Sequence, residues 1–112
     1  MQRGAGLPAF LGVLKRHRVD RFLFSHGVHG YSLALDFKVT DWPRLLALCH
    51  QMNDLVLAAG GRFYFAKDST LRPQDIQSYV GQQALSIFGH FKEELDKEGL
   101  LASELGRRVG LA

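Results

Sequence analysis

Between Tyr31 and Val39 the chain alternates strictly. Tyr31, Leu33, Leu35 and Phe37 fall on one side, and Ser32, Ala34, Asp36 and Lys38 on the other. A period of two marks a strand that buries one face and leaves the other to water or a ligand. The period then changes. Leu45, Leu48, Cys49, Met52, Leu55, Val56 and Ala59 recur at i, i+3, i+4 and i+7, which predicts a long helix with one apolar face. Thr40 or Asp41 caps that helix, Pro43 suits its first turn, and Gly60 and Gly61 stop it, because a left-handed cap costs glycine little. Beyond the glycines, Arg62 to Ala66 (RFYFA) reads as another strand, with Phe63 and Phe65 in the core. Strand, helix, strand forms a β-α-β unit, whose two strands share a sheet through a right-handed crossover.

The same reading extends to both ends. Pro8 is placed to open an amphipathic helix that carries Phe10, Leu11 and Leu14 and ends in a basic cluster near Arg18. Arg21 to Phe24 reads as a short strand, and Ser25 to Gly30 (SHGVHG) as a turn-rich loop. Helices are predicted over 74–80 and 83–97. Leu85, Phe88, Phe91 and Leu95 share a face of the second, Gly99 ends it, and a last helix runs from its N-cap Ser103 to Val109. The predicted class is α+β: a small β-α-β-containing sheet with one face covered by helices, followed by a helical C-terminal tail.

Composition narrows the class without naming a function. At 112 residues, 46% hydrophobic and 22% charged, residues 1–112 make one modest globular domain and not a disordered chain. No run approaches the ~20 apolar residues of a membrane span. The apolar N-terminal stretch contains Pro8 and runs into basic residues instead of a cleavage site, so it is not read as a signal peptide. A single cysteine, Cys49, excludes an internal disulfide and suits a reducing cytoplasm. The net charge of +3 gathers in KRHRVDR (Lys15 to Arg21) and GRR (Gly106 to Arg108), a mild bias towards phosphate-bearing partners.

Few constellations carry chemistry. His26 and His29 are three apart in a loop, with no cysteine pair to complete a zinc site, so no metal is expected. Cys49 lies on an apolar helix face and reads as a buried small hydrophobe. Three positions stand out. Asp36 is a mid-strand carboxylate, a type that strands disfavour. Tyr64 is flanked by aromatic residues, and Lys67 follows Ala66 where the strand should end. Positions 64 and 67 of a regular strand point to opposite faces. For both to reach one site, the backbone must leave the strand near Ala66.

Three blocks in this order, GYSLALDF (Gly30 to Phe37), GGRFYFAKDS (Gly60 to Ser69) and LDKEGLLASELGRRVGL (Leu95 to Leu111), resemble the C-terminal end of FAD-linked oxidases of the vanillyl-alcohol oxidase type. The closest branch is the decaprenylphosphoryl-ribose oxidase-like proteins, and the likeness spans about residues 7–111. It implies the cap, or substrate-domain, segment of a flavoenzyme that oxidises an alcohol carbon of a sugar or sugar derivative. It also implies FAD as cofactor, with Lys67 and Tyr64 near the flavin and Ser32, Ala34 and Asp36 lining the substrate face. No residue of this chain is implied as catalytic.

Ser32 and Ala34 stand where an asparagine and a cysteine are common in that branch. Lys97 and Leu101 replace a usual proline and phenylalanine. The 112 residues contain no FAD-binding domain, so the expectation is a C-terminal fragment, inactive alone, whose partner is an FAD-binding domain or subunit and whose exposed faces invite self-association. The alternative is a free-standing basic α+β module for nucleic acid or an acidic partner. An RNA-binding sheet wants aromatics on its open face, and Ser32, Ala34, Asp36 and Lys38 make nucleic acid the weaker option.

Overall fold

The computed structural model describes residues 1–67 and 69–111. Its architecture is α+β. Strand β1 (Ala9–His17) pairs antiparallel with β2 (Gly30–Phe37), and the helices α1 (Trp42–Ala58), α2 (Pro73–Val80), α3 (Gln82–Leu95) and α4 (Glu104–Val109) follow. A single 3-10 turn, Phe65–Lys67, lies between α1 and α2.

The helices begin and end where local chemistry dictates. The Asp41 carboxylate accepts from the Arg44 amide at 3.1 Å and Pro43 occupies the first turn of α1. The Ser103 hydroxyl caps α4 in the same way, accepting from the Gly106 amide at 2.9 Å. Beyond α1, Gly60 takes a left-handed φ of 71°. A Cβ on Gly61 would stand 2.5 Å from a Val56 methyl carbon, so both glycines are required. The second helix of the tail is shorter than expected: α3 stops at Leu95, the Asp96 amide caps it by donating to the Lys92 carbonyl at 2.9 Å, and the Asp96 carboxylate accepts the Leu100 and Leu101 amides of the chain that follows.

The core lies among the helices. Leu71, Ile76 and Val109 are buried together, with Phe63, Phe65, Tyr79 and Leu85 packed against them. Helix α1 buries Leu45, Leu48, Cys49 and Asn53. Its predicted apolar face fades in the last turns, where Leu55 and Val56 are exposed. A polar network ties α1 to α2. The fully buried Asp75 carboxylate accepts from the Arg72 guanidinium and backbone amide and from the Asn53 amide at 3.1 Å. Burial opposes the Asp75 charge, but these donors outweigh it and hold its carboxyl below the usual range.

Three expectations are overturned. The helix expected from Pro8 to Arg18 is strand β1. A lone β2 would leave its backbone groups unpaired, and the segment of matching length upstream supplies the ladder. The expected strand Arg62 to Ala66 is irregular chain entering the 3-10 turn, so there is no β-α-β unit and no crossover. The sheet is a two-stranded antiparallel ribbon. The expected strand Arg21 to Phe24 is a turn.

Nor do helices cover the sheet. Among the described residues the helices pack on one another and none packs on the ribbon. The resulting shape is open: the radius of gyration is 15.5 Å, against about 13 Å for a compact domain of this length.

Register assigns the two faces of the ribbon. Leu14 opposes Leu33 and Arg16 opposes Tyr31 on one face, where Gly12 leaves room for the Leu33 and Leu35 side chains. Val13 opposes Ala34 and Lys15 opposes Ser32 on the other. The apolar side of β2 was expected to fill the core. Instead Tyr31 (65% exposed) and Leu33 (59%) face solvent, while Ser32, Ala34 and Asp36 are half-buried. No described helix is long and apolar enough to cross a membrane.

Candidate functional site

The half-buried polar face of β2 is where the structure gathers its chemistry. At one end the Lys67 ammonium donates to the Asp36 carboxylate at 2.8 Å. At the other, the Ser32 hydroxyl and His17 Nε2 share a 2.7 Å hydrogen bond. Four residues of strand separate these ends, about 13 Å, with Ala34 on the same face between them. A line of rings joins them. His17 meets His26 edge-on at a centroid distance of 4.9 Å, and His26 lies 4.7 Å from the Tyr64 ring. The 3-10 turn closes the circuit, because the Lys67 amide donates to the Tyr64 carbonyl at 3.0 Å.

Each side chain is positioned by its own segment. The segment 62–67 is clamped by aromatics on one side: Phe63 and Phe65 pack on Tyr79, and Phe65 meets Phe24 edge-on at 5.7 Å. The Tyr79 hydroxyl donates to the Phe63 carbonyl at 3.2 Å. Burial pushes the Tyr79 phenol up from its ordinary value, so it remains a donor at neutral pH. With Phe63 and Phe65 turned inward, Tyr64 turns outward and is 56% exposed. The 3-10 turn then swings Lys67 to the same side. Residues 62–64 form no strand and Phe65–Lys67 is a 3-10 turn, so the opposite-face rule of a regular strand does not bind Tyr64 and Lys67.

The loop between the strands places His26. Asp20 accepts the Ser25 hydroxyl at 2.6 Å and the Phe22 amide at 2.9 Å, and the Ser25 hydroxyl oxygen in turn accepts the Gly27 amide. The Ser25 hydroxyl, followed by the Phe22 amide, holds the Asp20 carboxyl below its ordinary value. Gly27 is buried. A Cβ there would stand 2.9 Å from an Asp20 oxygen and 3.0 Å from the Arg18 carbonyl, so only glycine lets the loop close. Arg62 donates to the Ser25 carbonyl at 3.0 Å and ties this loop to the segment that carries Tyr64.

All five residues singled out from the sequence (Ser32, Ala34, Asp36, Tyr64 and Lys67) therefore border one surface. Asp68, which completes the AKD of its sequence block, lies outside the described residues. The sequence reading missed His17 and His26, assigning the first to a helix end and the second to an isolated loop pair. The available signal was the length match between residues 9–17 and 30–37, which brings His17 opposite Gly30. His29 does not join His26, and among the described residues no cluster of His, Cys, Asp or Glu has the makings of a metal site. Cys49 is buried, and burial pushes its thiol pKa up, the opposite of what a nucleophile needs.

The arrangement supplies groups that can donate and accept hydrogen bonds outwards. It offers an ammonium, a carboxylate, two hydroxyls and two imidazoles on a shallow face. The Ser32–His17 pair has the hydrogen bond of a nucleophile and its base, but His17 next meets an imidazole ring instead of a carboxylate that would orient it. The cavity lined by Arg16, His17, Arg18 and His29 and the one beside Phe24 and Phe88, of about 200 and 180 Å³, are each smaller than the ~300–1,000 Å³ of ordinary small-molecule pockets.

No family model matches the chain. A curated protein described as uncharacterized, in the mprA 5′ region of Streptomyces coelicolor, is 34% identical to it over 103 residues. That match covers 89% of this chain and 27% of the relative, so the chain spans about a quarter of the length of the curated relative it matches.

Proposed function

We propose that this chain is the C-terminal cap segment of an FAD-dependent oxidoreductase acting on an alcohol carbon of a sugar-type substrate. The observation that most supports this reading is the turn of Lys67 and Tyr64 onto the face that holds Ser32, Ala34 and Asp36, within a single surface. The resemblance of the three sequence blocks associates these residues with a flavin and its substrate. The ribbon brings them together even though the expected crossover topology is absent. The match to a quarter of a longer relative fits a segment that works with further polypeptide.

The residues suit one edge of a flavin and not its enclosure. Lys67 and Tyr64 are exposed enough to donate outwards, and the Ser32 hydroxyl faces the same way. Neither cavity has the volume for a dinucleotide, so the rest of the binding site belongs to an FAD-binding domain or subunit. Bound there, the flavin supplies the acceptor for the hydride lost by the substrate carbon. This chain's part is to hold and to screen. The Lys67 ammonium, steadied by Asp36, places a positive charge where negative charge collects, and hydroxyls and imidazoles orient substrate hydroxyl groups. The single buried Cys49 suits a reducing compartment, and the cytoplasm is the location we assign.

The test is to co-purify the chain with the polypeptide encoded immediately upstream of it and to look for a flavin absorption band. We expect flavin in the mixture and none with the chain alone. Lys67→Met should then slow substrate-driven flavin reduction without loss of fold. An upstream polypeptide that binds no flavin, or an unchanged reduction rate, overturns the proposal.

A further inference from the structure

One feature of the ribbon adjoins the site above and shares only His17 with it. Where β1 runs out, a cavity of about 200 Å³ is lined by Arg16, His17, Arg18 and His29. Register explains the grouping. His17 pairs with Gly30, so the next residues on either strand, Arg18 and His29, flank the mouth of the ribbon, and Arg16 lies one step behind.

The charges here are not spent internally. Among the described residues neither Arg16 nor Arg18 takes part in any of the ion pairs, which engage Lys67, Arg72, His90, Lys92 and Arg107. The carboxylate of the adjoining loop, Asp20, is committed to the Ser25 hydroxyl and Phe22 amide, and its field falls on His26 and Arg62.

We propose that this cavity binds a small phosphate-type oxyanion: inorganic phosphate, a phosphate monoester, or the terminal group of a diphosphate. Arg16 and Arg18 both line the cavity, and a guanidinium offers forked donors matched to tetrahedral oxyanions. The low-dielectric walls of a cleft strengthen their combined field. His29, and His17 through the ring nitrogen not engaged with Ser32, add imidazoles to the lining. The volume of about 200 Å³ admits a small oxyanion and is below that of ordinary small-molecule pockets. No large aromatic ring lines the cavity to stack a base, and a nucleic-acid strand needs a track of cations along several phosphates. The proposal does not rest on the flavin reading, because Arg16 and Arg18, whose charges carry it, were not assigned to flavin or substrate; only His17 is shared with the face described above.

The test is an NMR titration of the intact chain with inorganic phosphate, methyl phosphate and pyrophosphate, at constant ionic strength set with chloride. A single-stranded oligonucleotide forms a separate arm. We expect saturable shifts at the amides of residues 16–18 and 29 and in the His17 and His29 ring signals. The Arg16→Gln/Arg18→Gln pair lies on exposed positions, so it should keep the wild-type circular dichroism and weaken phosphate binding by about tenfold or more, the loss expected for one charge-assisted contact. Arg107→Gln, on α4, should leave binding unchanged.

Three outcomes overturn the proposal: no saturable shift up to millimolar phosphate, equal weakening by Arg107→Gln, or shifts centred on other residues. An oligonucleotide that binds far more tightly than pyrophosphate, with a steep salt dependence, also overturns it in favour of a nucleic-acid surface.

Discussion

The ribbon and the helical unit solve the same problem in opposite ways. The helices bury Leu71, Ile76 and Val109 against one another and satisfy a fully buried carboxylate, Asp75, from three directions. The ribbon buries little. Phe10, Leu14, Tyr31 and Leu33 are each more than half exposed, and its other face carries polar groups held by loops. A two-stranded ribbon is marginal by itself in water. The lesson is that burial and polar display are separated in space: the helices hold the core, and the ribbon leaves its side chains at the surface.

Removing the centre of the helical network should have the largest effect. Asp75→Ala leaves Arg72 and Asn53 without their shared acceptor inside the fold, a loss of about 3 kcal/mol. That is a large share of the ~5–15 kcal/mol of a small domain. Urea denaturation should show it as a clear drop in midpoint. Asp36→Ala, in the ribbon, should cost under about 1 kcal/mol, because the Lys67–Asp36 pair is exposed on both sides (53% and 37%). Equal losses for the two variants would break the comparison.

Acid should reveal the same asymmetry with less force. The folded pKa of Asp75 is depressed relative to the ~3.9 of a free aspartate. Its contribution is therefore complete above about pH 4 and is lost as pH falls through the lower folded value. A stability-against-pH profile should bend downwards below about pH 4 in the native chain, and Asp75→Asn should flatten that part. A profile unchanged by Asp75→Asn would show that other carboxylates govern acid unfolding.

A smaller effect links the two regions. Tyr79→Phe deletes the hydrogen bond from α2 to the Phe63 carbonyl, worth about 1 kcal/mol. Its sharper consequence is local. The segment that carries Tyr64 and Lys67 loses its polar tether while the Phe63 and Phe65 contacts remain. Amide exchange at Lys67 should quicken more than exchange within α2. Uniform acceleration would mean that the tether supports the whole helical unit and not the site.

The sequence made the helical unit far more legible than the ribbon. Asp41, Gly60, Gly61 and Ser103 mark helix ends through bonds that reach only a few residues, and both ends of α1 and the start of α4 lie close to where those marks place them. Residues 9–17 carry no such local decision. Pro8 precedes strands as readily as it opens helices, and Phe10, Leu11 and Leu14 fit either period. Pairing with β2, a contact across the long loop 18–29, decides the matter. The alternation in Arg62 to Ala66 likewise does place Phe63 and Phe65 inward, but with no strand edge beside it the segment coils into a 3-10 turn. Ser32, Ala34 and Asp36 were readable from alternation as one face. That this face, and not the apolar one, is turned towards the rest of the chain depends on His17, His26, Tyr64 and Lys67 folding over it, which no local pattern encodes.

The smallest expected change in stability carries the most information about the ribbon. Leu33→Ser on the apolar face should alter the free energy of unfolding by no more than about 0.5 kcal/mol, because the side chain is 59% exposed and has little burial to lose. Solution behaviour should change more. Leu14, Leu33 and Tyr31 stand together by register as a contiguous exposed apolar surface on a ribbon with two open edges. Such surfaces drive association unless something covers them. Sedimentation at rising concentration should show the native chain self-associating, and Leu33→Ser combined with Leu14→Ser remaining monomeric at the same concentrations. In the co-purification with the upstream polypeptide, the same double substitution should weaken capture if this face is where the two meet, while leaving the Lys67–Asp36 side of the ribbon undisturbed. A native chain that stays monomeric at high concentration, and is captured equally well with both substitutions in place, would show that the apolar face tolerates water, and the contrast with the helical unit would then lie in packing alone.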